Sequence, residues 1–234
     1  MKTTGKLFGV GVGPGDPELL TIKAVRIIKE ADIIFTAAST KNRYSLAVEI
    51  ATPYISPSTR IEKLSFPMTK DEKEVEAAWT YNAKQIAKEL KKGKNAVFLT
   101  LGDPTTYSTF GYILKKMECI MPEADIETIP GITSFHAASA RLNKILVEGE
   151  ESLLIISGAF GGEQIRKNSG VENVAIVKAY KNIKDINCAL KETGFDNKAV
   201  AVSKCGRENE QVINNINELE TKKPDYWTLI LASK

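Results

Sequence analysis

Glycine, proline, aspartate and hydroxyl residues gather in three short stretches: residues 11–17 (GVGPGDP), 101–109 (LGDPTTYST) and 130–136 (PGITSFH). The first offers backbone N–H groups ahead of a helix start, which suits a carboxylate or phosphate. It reads equally as a tight turn between strand and helix. It is not a dinucleotide fingerprint, because a G-x-G-x-x-G run from Gly9 or Gly11 would need glycine where Pro14 and Asp16 stand, and no G-K-[ST] follows to make a P-loop. In the second stretch Pro104 lacks an amide donor and biases Asp103 toward extended backbone, so carbonyls and a carboxylate face outward. A sulfonium or a ribose suits such a loop and a polyphosphate does not. The competing reading has Asp103 cap the helix that follows. The third stretch opens another helix with Thr133 or Ser134 as N-cap. His136 lies one turn in, facing either a ligand cleft or a neighbouring helix.

The rest of the composition narrows the chemistry. His136 is the one histidine, which removes most transition-metal and histidine-triad mechanisms, and no metal site is expected. Cys119, Cys188 and Cys205 are odd in number and widely spaced, against a disulfide framework or a CxxC knuckle. Net charge is +3 with both signs dispersed, giving no case for a nucleic-acid partner, and 43% hydrophobic with 26% charged residues excludes disorder and collagen. No apolar run approaches the roughly 20 residues that span a bilayer. The lysines and glycines of the first fifteen residues do not make a signal peptide, so a cytoplasmic protein is expected.

Loops of this kind need elements to position them. Strand and helix periodicities alternate from the start, the pattern of a parallel sheet with helices on its faces. Strands are expected at 7–12, 33–36, 60–64, 96–101 (the most apolar, hence central) and 126–129. Helices are expected from Asp16 and Pro17 through Ile28, at 71–92 with Trp79 in the core, the run 70–76 as a solvated face and Gly93 as stop, at 106–116 and at 133–142. In the second half strands are expected near 153–157, 174–178, 199–203 and 228–232, with a helix at 183–192. Each glycine-rich loop then follows a strand's C-terminal end, where open α/β sheets bind ligands. A hinge at Pro130 and Gly131 divides residues 1–131 from 132–234.

The three loops, in this order, resemble those of the tetrapyrrole (corrin/porphyrin) methylase family of S-adenosylmethionine enzymes: GVGPGDPELLT at 11–21, GDP at 102–104 and PGITS at 130–134. The resemblance implies two α/β domains, the N-terminal one on a mostly parallel five-stranded sheet and the C-terminal one on a mixed sheet, with the cofactor in the cleft between them and a homodimer as the assembly. Three further stretches, KNRYS at 41–45, LSFPM at 64–68 and LTLGDPTTYSTF at 99–110, resemble the branch that methylates C(20) of precorrin-2 or cobalt-factor II in cobalamin synthesis. One departure is Asn143, where relatives often have glycine; asparagine tolerates the left-handed conformation. Carried over by position, the resemblance implies cofactor contacts at Leu101, Gly102, Asp103, Thr106, Thr133 and Ser134, and from the second domain at Lys178, Ala179 and Gly206. The same resemblance implies that Pro14 lies at the interface of cofactor and tetrapyrrole.

A sulfonium donor discharges positive charge on transfer and asks little of acid–base groups, so positioning should dominate. A proton must later leave the methylated carbon, and Tyr107, His136 or water are the candidate acceptors. The substrate's carboxylates are expected on backbone N–H groups of residues 11–15 and on the Lys41 and Arg43 side chains, with Gly13, Pro14, Gly15, Asp16 and Arg43 as the expected substrate-contact residues. Two other readings stay open: another methylase on the same scaffold, acting on uroporphyrinogen III, an rRNA ribose or diphthine, and a tetrapyrrole- or nucleotide-binding module without turnover.

Overall fold

Strand β1 (Leu7–Gly11) opens the fold in a computed structural model that describes residues 4–38 and 45–234. Asp16 and Pro17 do start a helical segment, but a 3-10 turn, Pro17–Leu19, in which the Asp16 side chain accepts from Glu18 N; the α-helix proper, α1 (Ile22–Lys29), is capped by Thr21. There follow β2 (Ile33–Ala38), α2 (Leu46–Ala51), β3 (Arg60–Ser65), α3 (Glu72–Leu90), β4 (Ala96–Thr100), α4 (Phe110–Ile120) and β5 (Ile126–Ile129). All pairings are parallel, in the order β3-β2-β4-β1-β5, with the apolar β4 in the middle as its composition predicts. Alternation along the strands builds two cores: Phe35 and Phe98 face α3 and α4 with Ile86, Leu90 and Phe110, while Ile34, Val97 and Leu99 face α1 and α2 with Ile27, Ile28 and Ile50.

The remainder comprises α5 (Ser134–Leu142), β6 (Leu153–Ser157), α6 (Glu163–Lys167), β7 (Asn173–Val177), α7 (Ile183–Glu192), β8 (Val200–Ser203), β9 (Gln211–Ile213) and β10 (Thr228–Ser233). Its sheet runs β6-β7-β10-β8-β9, with β6 and β7 parallel and the other pairs antiparallel, the mixed sheet that was expected. One face packs on Phe135 and Ala138 of α5, the other on Ile186, Ala189 and Leu190 of α7. Packing divides the chain into two compact units, Met1–Thr133 and Ser134–Lys234.

Two expectations need correction. The helix predicted from Thr106 begins only at Phe110, because Tyr107 sits at φ 50°, outside the helical region. Trp79 is half-buried rather than core, its ring stacked on that of Tyr112 at 3.9 Å. Asn143 adopts φ 49°, so it fills the glycine-like position its chemistry allows.

Candidate functional site

Adjacent parallel strands deliver the three loops of the first unit to one edge of its sheet. β1 lies between β4 and β5, so the chain leaving Gly11 is flanked by the chains leaving Thr100 and Ile129. The first two loops then pair: Gly102 N donates to Gly13 O at 2.8 Å and Gly13 N to Gly102 O at 3.3 Å. The third is pressed against both. A Cβ on Gly131 would stand 2.2 Å from the Gly102 carbonyl oxygen and 2.8 Å from Gly11, and a Cβ on Gly11 would stand 2.4 Å from that same oxygen. Only hydrogen fits where three main chains meet.

Asp103 completes the junction. Its Oδ1 accepts from Thr105 N at 2.8 Å and from the Thr105 hydroxyl at 2.5 Å, and its Oδ2 accepts from Gly131 N at 3.1 Å. The cap reading is therefore replaced by a tie between the second and third loops, with the helix itself starting seven residues on. Burial alone would raise this carboxyl, but hydrogen bonds from Thr105, Gly131 and Thr106 outweigh it and hold the group below the usual aspartate value, anionic near neutrality. Ser108 steadies the far end of the loop, bonded to Thr100 Oγ1 at 2.8 Å and accepting from Phe110 N at 3.1 Å.

Around this junction Leu101, Gly102, Asp103 and Thr106 are half-buried, Pro14 and Gly13 buried, and Gly15 and Asp16 half-buried. Thr133, also half-buried, immediately precedes α5. Tyr107 is 51% exposed in its left-handed conformation. Lys41 and Arg43 lie outside the described residues.

In the second unit, Lys178 and Ala179 follow β7, and residues 204–206 follow β8. The start of β10 draws them together: Ala179 N donates to Thr228 O at 2.8 Å and Lys204 N to Trp227 O at 3.2 Å. Lys178 (φ 57°), Lys204 (φ 55°) and Gly206 (φ 74°) all occupy the left-handed region. Burial pushes the Lys178 ammonium below its ordinary value, and burial followed by its neighbour Tyr180 pushes the Tyr226 hydroxyl up. Ser134 opens α5, and His136 is exposed on it with its ring 4.6 Å from that of Phe135. The candidate residues therefore fall into two clusters, one in each unit.

Sequence reasoning missed what binds the loops to one another, above all the Gly11–Gly131 approach and the bond from Gly131 to Asp103. A strand-turn-helix pattern shows that a glycine sits at a turn, not which backbone it touches. No group of three or more His, Cys, Asp or Glu that could hold a metal occurs among the described residues, and none of their helices is long and apolar enough to cross a membrane. Two open depressions, of about 420 and 510 Å³, are lined by none of the candidate residues.

Two α/β units, the first with three backbone-lined turns tied at the carboxyl ends of a parallel sheet, define an α/β protein with its loops gathered where open α/β sheets bind ligands. The chain belongs to the tetrapyrrole (corrin/porphyrin) methylase family, whose sequence model matches residues 6–220. It is 32% identical over 232 residues to the cobalt-precorrin-2 C(20)-methyltransferase of Salmonella typhimurium, covering 98% of this chain and 97% of that protein. It is 34% identical to the "Probable cobalt-precorrin-2 C(20)-methyltransferase" of Methanocaldococcus jannaschii, covering 100% and 98%. Among solved structures, a cobalt precorrin-4 methyltransferase superposes with a TM-score of 0.75 at 22% identity, covering 97% of this chain and 94% of that one. The uroporphyrin-III C-methyl transferase of Thermus thermophilus, complexed with S-adenyl homocysteine, does so with a TM-score of 0.67 at 21% identity and 98% coverage of both chains.

Proposed function

We propose that this protein is an S-adenosylmethionine-dependent methyltransferase that methylates C(20) of a reduced tetrapyrrole, precorrin-2 or its cobalt-loaded counterpart, in cobalamin biosynthesis. The observation that carries the reading is the tied junction of loops 11–17, 101–107 and 130–134, taken with full-length identity of 32 and 34% to two relatives bearing that activity in their names. The residues present fit the cofactor. Asp103 is anionic, as suits a sulfonium or an ammonium, and the half-buried Gly102, where a Cβ would come no nearer to another residue than 4.0 Å, leaves backbone open to approach.

When bound, S-adenosylmethionine supplies an electrophilic methyl group on a charged sulfur. Leu101, Gly102, Asp103, Thr106, Thr133 and Ser134 are assigned to holding and orienting it, and Lys178, Ala179 and Gly206 to backbone contacts from the second unit. Gly13, Pro14, Gly15, Asp16 and Arg43 are assigned to the tetrapyrrole. Orientation of the nucleophilic carbon supplies most of the catalysis on this reading, and the proton it sheds passes to Tyr107, His136 or water. A cytoplasmic homodimer without nucleic-acid partners completes the proposal; sedimentation measures the assembly.

Incubation of the full chain with S-adenosylmethionine and either tetrapyrrole, followed by mass spectrometry, should give a product heavier by one CH2, a methyl group gained and a proton lost. Absence of methylated product with both substrates rejects the function.

A further inference from the structure

Residues 204–210 link β8 to β9 and contain Gly206. Lysine at φ 55° is a conformation that persists only where surroundings fix it, so what holds this turn matters. Arg207 N donates to Lys204 O at 3.1 Å, and Gly206 N donates to Glu210 Oε2 at 2.8 Å. The second carboxylate oxygen, Glu210 Oε1, accepts from Arg141 Nε at 2.7 Å. The Glu210 side chain is 15% exposed while Arg141 is 63% exposed. Arg141 belongs to the last turn of α5, the helix that begins at Ser134. One carboxylate thus fastens the Gly206 turn to the far end of the helix whose first residue is itself a cofactor candidate.

We infer that Glu210, held by Arg141, is a positioning residue for S-adenosylmethionine binding: it engages the Gly206 amide and so sets the backbone of residues 204–206 that meets the ligand. This rests on the methyltransferase reading above. It has a chemical corollary. With its N–H taken by Glu210, Gly206 offers the cofactor its carbonyl and α-carbon rather than its amide. A pair serving only stability would behave differently: breaking it would lower Tm and leave ligand affinity untouched.

Calorimetric titration of S-adenosylmethionine into the full chain tests the inference. Glu210→Ala should weaken binding about tenfold, the order expected when a charged hydrogen-bond acceptor is lost. Glu210→Gln, whose amide oxygen still accepts from Gly206, should stay within about threefold, and Arg141→Met should fall between. In turnover, Glu210→Ala should raise KM for S-adenosylmethionine with little change in kcat, and hydrogen exchange at the Gly206 amide should accelerate. Ile230→Val, a conservative change in the core of the same unit, should lower Tm without altering affinity. Wild-type affinity in Glu210→Ala, or equal loss in Ile230→Val, overturns the inference. Should Glu210→Ala not fold, Arg141→Met decides: wild-type affinity there overturns it too. Wild-type protein that binds no S-adenosylmethionine rejects the methyltransferase reading itself, and the inference with it.

Discussion

Because Asp103 accepts from Thr105 on one oxygen and from Gly131 on the other, truncating it disconnects two loops rather than uncapping a helix. Asp103→Ala should cost about 1–2 kcal/mol in stability, the range for stranding partly buried donors. Its effect on S-adenosylmethionine affinity should be larger, because the loop loses both its anion and its tie. Asp103→Asn keeps an acceptor for one of the two partners and should recover stability while leaving affinity impaired. Equal affinity in wild type and Asp103→Ala, read by calorimetry, would remove the residue from the site. The glycines make a sharper contrast. At Gly131 an added methyl meets main chain on two sides, which cannot yield, so Gly131→Ala should lower Tm and abolish binding. At Gly111, inside α4, an added methyl meets nothing within 4 Å, so Gly111→Ala should be neutral or stabilising by up to about 1 kcal/mol. Melting curves of the two variants side by side decide the matter.

At the scale of elements, capping makes predictions of its own. Asp71 accepts from Lys73 N at 2.9 Å and Glu74 N at 3.3 Å at the start of α3, so Asp71→Ala should destabilise by about 1 kcal/mol and Asp71→Ser by less, measured by urea unfolding. The helix itself was legible from its long 3.6-residue repeat and the Gly93 stop, while Asp71, read as its first residue, turns out to be its cap. The parallel character of the first sheet and the central place of β4 were legible for a similar reason, strands alternating with helices and β4 the most apolar of its strands, whereas the full strand order was not. Other elements were not. The start of α4 was misplaced because it depends on a left-handed tyrosine at 107, a backbone state that no residue type announces. β9 spans only Gln211–Ile213, too short for alternation to register, and α6 is a single turn and a half. In the candidate site, the loops and Asp103 could be singled out as residues, while the contacts among the loops, and the Arg141–Glu210 pair that reaches Gly206, arise from tertiary packing between segments far apart in sequence.

Over the whole molecule, the shifted groups set opposite limbs of a pH profile. Glu89, buried in α3, is drawn down to about 2 by hydrogen bonding to Lys92, against the cost of burial and with help from Lys94; Glu127 is drawn to about 2 by Lys23 and Lys6. A carboxyl whose folded value lies below its unfolded one adds stability above the ordinary range, near 4.5, that disappears as pH falls toward 2. For Glu89, whose lysine partners are 48 and 37% exposed and therefore screened, this amounts to about 1 kcal/mol. The alkaline limb has the reverse sign. Burial first, then the Glu210 carboxylate, push the Cys205 thiol from 9.0 up to about 12, with Arg141 opposing weakly. A raised group contributes stability that is complete below its unfolded value and fades as pH climbs through the gap, by about 1–2 kcal/mol near pH 10.5. Tyr226 works in the same direction, while Lys144 and Lys178, lowered by burial, work against it. The raw profile therefore mixes signs, and the informative quantity is the difference between wild type and Cys205→Ala in urea midpoint. That gap should be widest below about pH 9 and narrow steadily above it. A gap independent of pH would mean that the Cys205 thiol ionises as easily in the folded protein as in the unfolded chain.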